Sequence, residues 1–235
     1  MGIDYIFFDC METLIDLHNL PDAKDYAMWA YKGSGVESLW DGFDSFFSFY
    51  IAARRGLEAS LPPHAEFELR GQFFKILQLS APELSVSRIE AAVDKLYTNY
   101  WDNYKAACYV KDEVAGTLKS LYSTCRMGVV SNFRVMGGIE ELLEMLGIRK
   151  YFSFVVTSVA SGIRKPHPEI YNEALRISGV PADRVLFVGD DYIDDYVAPT
   201  TLGMRAAYYD KNGLHPDAEP RFSDFAELPQ ILERF

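Results

Sequence analysis

The chain has 235 residues, of which 49% are hydrophobic, and its formal net charge is −11. This length is sufficient for one domain with a modest insertion around a buried core. The negative charge argues against nucleic acid or an anionic membrane as the main partner. The cysteines, Cys10, Cys108 and Cys125, are odd in number and widely spaced, which is typical of reduced thiols. No apolar run approaches a membrane span and no signal peptide is apparent, so we expect a soluble, cytoplasmic protein.

Short apolar runs separated by amphipathic segments predict alternating strands and helices. The predicted strands are Tyr5–Phe8, Arg126–Val130, Phe152–Thr157, Val185–Val188 and Met204–Tyr209. Helical spacing of apolar residues is seen at Val114, Leu118 and Leu121, at Ile139, Leu142, Leu143 and Leu146, and at Ile170, Ala174 and Ile177. This alternation indicates an α/β fold in which helices cover both faces of a parallel sheet.

The segment 16–106 interrupts the alternation, because it is rich in aromatic residues and has helical spacing without a convincing strand. The stretch Ser60-Leu61-Pro62-Pro63 is predicted as a loop within it. Most of its aromatic side chains are expected to form the core of a small helical bundle. We therefore predict a core made of residues 1–15 and 107–235, with 16–106 as an inserted helical domain.

Polar and charged residues follow the predicted strands, where ligands collect in parallel sheets. In chain order they are Asp9, then Ser131 and Asn132, then Lys165, and finally Asp190, Asp191, Asp194 and Asp195. A carboxylate can attack phosphorus to form an aspartyl-phosphate, and a lysine and a divalent metal can cancel the charge that accumulates. Mg²⁺ prefers oxygen ligands, and Asp9 and Asp190 suit it.

These groups resemble, in order and spacing, the four motifs of the haloacid dehalogenase (HAD) superfamily, in the subclass with a helical C1-type cap. The resemblance implies a Rossmann-like core, with the inserted domain as the cap. It also implies that Asp9 is the nucleophile, that Lys165 neutralises charge, and that Thr13, Ser131 and Asn132 bind the substrate. The metal ligands implied are Asp9, the backbone carbonyl of Met11, Asp190 and Asp195. Asp195, or Asp194 in its place, would hold the metal's waters or orient Lys165.

Met11 departs from the family pattern, because most phosphatases of this superfamily have a second aspartate there that acts as general acid and base. The loss of a proton donor typically costs about 10²–10⁴ in rate. Glu12, His18 or a residue of the cap could replace it, or the substrate could have a good leaving group. Otherwise the chemistry is not phosphate hydrolysis, since haloacid dehalogenases also lack this aspartate. Phosphonatases lack it too and use a cap lysine, for which Lys24 and Lys32 are candidates.

The acidic residues after Val188 favour metal-dependent chemistry, because halide displacement needs no metal. We expect a Mg²⁺-dependent phosphatase or phosphotransferase that acts on a small phosphorylated molecule through Asp9. The alternatives are a 2-haloacid dehalogenase-type hydrolase, or a degenerate member that binds a ligand or partner without turnover. The substrate, the oligomeric state and the roles of Asp191, Asp194 and Asp195 stay open at this stage.

Overall fold

The computed structural model describes residues 2–235, which divide into two compact units. Residues up to Asp16 together with Tyr109–Phe235 form the first unit, and Leu17–Cys108 form the second. None of the helices within 2–235 combines the length and the apolar character needed to cross a membrane.

The strands are β1 (Tyr5–Phe8), β2 (Asp16–Leu17), β3 (Cys108–Tyr109), β4 (Arg126–Ser131), β5 (Phe154–Thr157), β6 (Val185–Gly189), β7 (Arg205–Tyr209) and β8 (Arg221–Phe222). A six-stranded sheet in the order β5-β4-β1-β6-β7-β8 forms the centre of the first unit, and all its recorded strand pairs are parallel. The short strands β2 and β3 pair separately. The parallel sheet with intervening helices confirms the predicted α/β class.

Ten α-helices accompany these strands in residues 2–235. They are α1 (Ala23–Tyr31), α2 (Phe43–Ser60), α3 (Leu69–Ser80), α4 (Val86–Ala107), α5 (Asp112–Leu121), α6 (Gly138–Met145), α7 (Ser158–Ser161), α8 (Pro168–Ser178), α9 (Ala198–Thr201) and α10 (Leu228–Leu232). Single 3₁₀ turns occur at Glu37–Leu39, Arg149–Tyr151, Ala182–Arg184 and Phe225–Glu227, and Tyr192–Val197 forms a π-helix.

The second unit consists of the helices α1 to α4, which pack around buried aromatic and aliphatic side chains such as Phe46, Tyr50 and Phe73. The Asp22 side chain caps the start of α1 by accepting from two backbone amides. At the other end of α1, the Asn99 side chain on α4 donates to the carbonyls of Trp29, Ala30 and Lys32. These contacts satisfy carbonyls that the end of a helix leaves unpaired.

The core of the first unit lies against both faces of the sheet, because β1 and β6 are buried along their whole length. On one face, Phe7, Phe154 and Phe187 belong to one cluster that also includes residues of α8. Gly128 on β4 makes this packing possible, since a Cβ there would lie only 2.3 Å from Cζ of Phe154. A glycine is therefore required for the aromatic ring to cover the strand.

The strand order changes direction at β1, which lies between β4 and β6 in the sheet. After β1 the chain fills one side with β4 and β5, and it then crosses to the other side for β6, β7 and β8. The crevice at the carboxyl end of such a switch point is the usual ligand site of open parallel sheets. The candidate site is therefore expected among the residues that follow β1, β4 and β6.

Candidate active site

Asp9 directly follows β1, at the switch point of the sheet. Its backbone amide continues the pairing with β6 by donating to the Val188 carbonyl at 2.9 Å. Its side chain is only 10% exposed. A buried carboxylate needs a compensating partner, and the neighbouring strand ends provide it.

Lys165 is that partner, although it lies far from Asp9 in the sequence. Its Nζ donates to Oδ1 of Asp9 at 2.7 Å and to Oδ1 of Asp195 at 2.6 Å, and its side chain is 2% exposed. Burial alone would lower the pKa of the lysine, but the two carboxylates, Asp195 first and Asp9 second, outweigh it and raise the pKa. The ammonium is therefore charged and fixed in position beside the predicted nucleophile.

Asn132, which follows β4, holds the backbone of Lys165 in place. Its Oδ1 accepts from the Lys165 amide at 2.8 Å, and its Nδ2 donates to the Lys165 carbonyl at 3.2 Å and to Oδ2 of Asp194 at 2.9 Å. All the polar atoms of this side chain thus have protein partners. The contacts make Asn132 a positioning residue for Lys165, and its predicted role in substrate binding stays a prediction.

The π-helix Tyr192–Val197 directs the acidic side chains that follow β6 to different partners. Asp191 caps this helix by accepting from the amides of Ile193 and Asp194 at 2.9 and 2.8 Å. Asp194 accepts from Asn132, while Asp195 is buried and contacts Lys165. Of the two roles predicted for Asp195, these contacts correspond to orienting the lysine.

Gly189, the last residue of β6, is needed for Asp195 to occupy this position. A Cβ at Gly189 would lie 2.3 Å from Oδ2 of Asp195, well inside contact distance. The same Oδ2 accepts from the Asp191 amide at 3.0 Å, which fixes the rotamer of the carboxylate.

Asp190 lies beside Asp9, and its carboxylate has two partners. Its Oδ1 accepts from the buried Thr13 hydroxyl at 3.1 Å, and its Oδ2 lies 3.8 Å from Nζ of Lys211. Burial, and then the nearby charge of Asp9, raise the pKa of Asp190 to about 7. Thr13 thus supports Asp190, while its predicted contact with substrate stays a prediction.

Carboxylate oxygens of Asp9, Asp190 and Asp195 all lie within 4.8 Å of one another. Oxygen donors at this spacing fit a hard divalent cation such as Mg²⁺, which binds one or two carboxylates together with waters and phosphate oxygens. The raised pKa of Asp190 also favours a bound cation, because it shows that the half-buried carboxyl group lacks sufficient positive charge nearby. Asp9 and Asp190 would hold the metal, and both oxygens of Asp195 already have donors.

A tight turn follows Asp9 and contains the departure at Met11. The amides of Leu14 and Ile15 both donate to the Cys10 carbonyl, and Glu12 has a left-handed backbone with φ of 61°. Met11 is half-buried in this turn and its thioether side chain carries no proton to donate. Glu12, one of the predicted replacements, has a side chain that is 41% exposed and lies 4.0 Å from Lys211.

The remaining predicted and unpredicted residues are placed as follows. Ser131 is buried at the carboxyl end of β4, opposite Thr157 in the register. His18, Lys24 and Lys32 belong to the helical unit. Lys211 was not predicted, although it follows β7 with one residue between. The expectation that ligands collect at the carboxyl ends of parallel strands applies to β7 as well, and it would have identified Lys211.

Comparison with known proteins places the chain among hydrolases. The family model of haloacid dehalogenase-like hydrolases matches residues 3–198. Haloacid dehalogenase-like hydrolase domain-containing protein 3 of Danio rerio is 36% identical over 154 residues, which cover 61% of this chain and 62% of that protein. The chain thus spans less than two thirds of this curated relative.

Two further similarities extend over nearly the whole chain. Glyceraldehyde 3-phosphate phosphatase of Pyrococcus furiosus is 24% identical, and the alignment covers 98% of this chain and 92% of that one. The crystal structure of 2-haloacid dehalogenase from Pseudomonas syringae pv. Tomato superposes with a TM-score of 0.79 at 24% identity, covering 99% of both chains. This structural likeness concerns the fold alone. The chain belongs to the haloacid dehalogenase-like hydrolases.

Proposed function

We propose that the protein is a Mg²⁺-dependent phosphatase or phosphotransferase that acts on a small phosphorylated molecule through an aspartyl-phosphate on Asp9. The net charge of −11 argues against nucleic acid or an anionic membrane as the partner. The relative from Pyrococcus furiosus, which is named glyceraldehyde 3-phosphate phosphatase, supports a small phosphorylated substrate.

The observation that carries the proposal is the Asp190 carboxylate, which the fold holds next to Asp9 through the Thr13 hydroxyl. A second, half-buried carboxylate beside a nucleophile opposes the approach of an anionic substrate unless a cation joins them. Displacement of a halide requires no metal and provides no reason for such a cluster. Phosphoryl transfer does, because a metal there supplies positive charge that offsets the charge on the transferring group.

The residues of this chain have separate tasks in the reaction. An oxygen of Asp9 attacks phosphorus, the bond from phosphorus to the leaving oxygen breaks, and that oxygen departs with the electron pair and takes its proton from solvent water. Lys165 holds Oδ1 of Asp9 at 2.7 Å, which orients the carboxylate and offsets negative charge in the transition state. Water then attacks the phosphorus of the aspartyl-phosphate, and the bond from phosphorus to Asp9 breaks with its electron pair returning to the carboxylate. Inorganic phosphate leaves, and the proton lost by the water passes to solvent.

Met11 affects the two halves of this reaction differently. A phenolate leaving group departs with little need of a proton, so the first half proceeds even though the side chain at position 11 carries none. The second half needs a base to take a proton from water, and its absence costs about 10²–10⁴ in rate. The phospho-enzyme is therefore expected to accumulate.

The test is a rapid-mixing assay with p-nitrophenyl phosphate, with and without Mg²⁺. We expect a Mg²⁺-dependent burst of p-nitrophenol close to one equivalent of enzyme, followed by slow turnover, as for other covalent intermediates. Met11→Asp should accelerate the slow phase by about 10²-fold or more and thereby reduce the amplitude of the burst.

Asp9→Asn is the matched control, because it keeps the shape of the side chain and removes the nucleophile. It should eliminate the burst and lower turnover by about 10³-fold or more. Metal-independent release, or release that Asp9→Asn leaves intact, would contradict the proposal.

A dehalogenase-type hydrolase is the second candidate, and the observation in its favour is Met11, since a departing halide needs no proton. Chloride release from a 2-chloro acid without added metal, lost in Asp9→Asn, would establish it in place of the phosphatase. A member without turnover would show neither activity, and Met11→Asp would then fail to restore any.

A further inference from the structure

Lys211 lies at the edge of the candidate site and contacts three of its segments. Its Nζ donates to the backbone carbonyl of Glu12, and it lies 3.4 Å from Oδ1 of Asp16 and 3.8 Å from Oδ2 of Asp190. Its side chain is 21% exposed, so these contacts are partly shielded from water. The lysine therefore joins the turn after the nucleophile to the carboxylate that follows β6.

The two lysines of the site divide its carboxylates between them. Lys165 lies between Asp9 and Asp195, while Lys211 faces Asp190 together with Asp16. The Asp16 carboxylate is also paired with Lys111, at 2.9 Å. Lys211 thus provides positive charge to the same carboxylate that is expected to hold the metal.

We propose that Lys211 is an internal counter-cation of the site, which stabilises the carboxylates and competes with the divalent metal for Asp190. The inference rests on the proposed function, since it concerns the affinity of that site for its metal. A divalent ion on Asp190 must either displace the ammonium from its 3.8 Å position or bind close to it. A divalent cation and an ammonium group about 6 Å apart repel each other enough to weaken metal binding by about tenfold, even at the dielectric constant of water.

Lys211 also anchors the turn after Asp9, and loss of this anchor would change the metal affinity in the opposite direction to loss of the charge. The two effects can therefore be distinguished by experiment. It holds the carbonyl of Glu12, whose left-handed backbone precedes the Thr13 hydroxyl that supports Asp190. If this anchoring were its whole role, a neutral variant would bind metal as before or more weakly. Competition by charge predicts that the neutral variant binds metal more tightly.

The experiment measures Mn²⁺ binding to the metal-free 235-residue protein by electron paramagnetic resonance, a readout independent of turnover. Lys211→Gln removes the charge and can still donate to the Glu12 carbonyl, so it should lower the dissociation constant by about tenfold. Lys211→Arg keeps the charge and should stay within about threefold of the parent protein. Lys211→Met carries the same expectation as Lys211→Gln, with a smaller gain because the anchor is also lost.

Lys119→Met is the matched control, because Lys119 is exposed on α5 and its loss changes the net charge equally. It should leave Mn²⁺ binding unchanged, which separates a local effect from the overall field. Unchanged or weaker binding by folded Lys211→Gln would overturn the proposal while the phosphatase function stands. Failure of the parent protein to bind Mn²⁺ would overturn both.

Discussion

Replacing Gly189 by alanine tests the link between a backbone position and the charge network of the site. The added Cβ would lie 2.3 Å from Oδ2, 2.4 Å from Cγ and 2.6 Å from Cβ of Asp195. These atoms belong to a buried carboxylate that is bonded to Lys165 and to the Asp191 amide. Asp195 must therefore move, and Lys165 loses a partner at 2.6 Å.

The size of the effect has two parts. Overpacking of a buried position typically costs about 1–3 kcal/mol, and about 2–4 °C of melting temperature accompanies each kcal/mol in a protein of this size. We therefore expect the melting temperature to fall by roughly 2–12 °C. Displacement of the lysine by about 1 Å should lower the burst rate with p-nitrophenyl phosphate by about 10²-fold.

Two other glycine-to-alanine changes serve as controls in the same assays. Gly116→Ala on α5 meets nothing within 4 Å and should stabilise the protein by about 0.5–1 kcal/mol, because alanine favours the helix. Gly128→Ala places its Cβ 2.3 Å from the Phe154 ring and should destabilise without slowing the folded enzyme. A Gly189→Ala protein with parental stability and burst rate would refute the reasoning.

Two further predictions concern the partners of this network. Asn132→Ala leaves the amide and carbonyl of Lys165 without their partner and should cost about 2 kcal/mol or more in unfolding free energy, measured by urea denaturation. Asn132→Asp should cost at least as much, because it places a carboxylate beside Asp194. Full stability of either variant would contradict the role of Asn132 in holding the backbone of Lys165. For Asp190, a folded-state pKa of about 7, above its usual value, means that the folded protein holds this proton more tightly than the unfolded chain does. Its contribution to stability is therefore present below about pH 4 and lost as the pH rises through about 7. Over this interval the melting temperature of the metal-free parent protein should fall relative to that of Asp190→Asn. A constant difference between the two melting temperatures would contradict the raised pKa of Asp190.

The sequence predicts most of the polar side chains that the structure brings together, because they follow short apolar runs. Asp9, Asn132 and Asp190 are adjacent to the ends of β1, β4 and β6, where the parallel register brings them together. Lys165 was located by the same argument, although its loop extends well beyond β5. Buried hydrophobic runs of this kind are the strongest signal in a single sequence.

The separate contacts of Asp191, Asp194 and Asp195 could not be predicted from the sequence, because they depend on the backbone conformation after β6. The π-helix gives Asp191, Asp194 and Asp195 three different partners, and the spacing of the residues alone does not select this winding. Rare π turns often coincide with functional sites. The π-helix here explains why neighbouring carboxylates cap the helix, accept from Asn132 and contact Lys165.

The short strands were missed for a different reason. β2, β3 and β8 contain two residues each, too few for an alternating pattern to be recognised. The predicted strand Phe152–Thr157 starts two residues later, at Phe154, because Arg149–Tyr151 forms a 3₁₀ turn ahead of it. Lys211 is not among the predicted site residues, because it follows β7, beyond the last strand end considered as part of the site.

The most direct test of the central claim is chemical identification of the covalent intermediate. The protein is mixed with p-nitrophenyl phosphate and Mg²⁺, quenched in acid during the burst and digested for mass spectrometry. The account predicts one phosphoryl group on the peptide that contains Asp9, dependent on Mg²⁺ and absent from Asp9→Asn. Phosphate on another residue, or product release with no phosphorylated peptide, would contradict it.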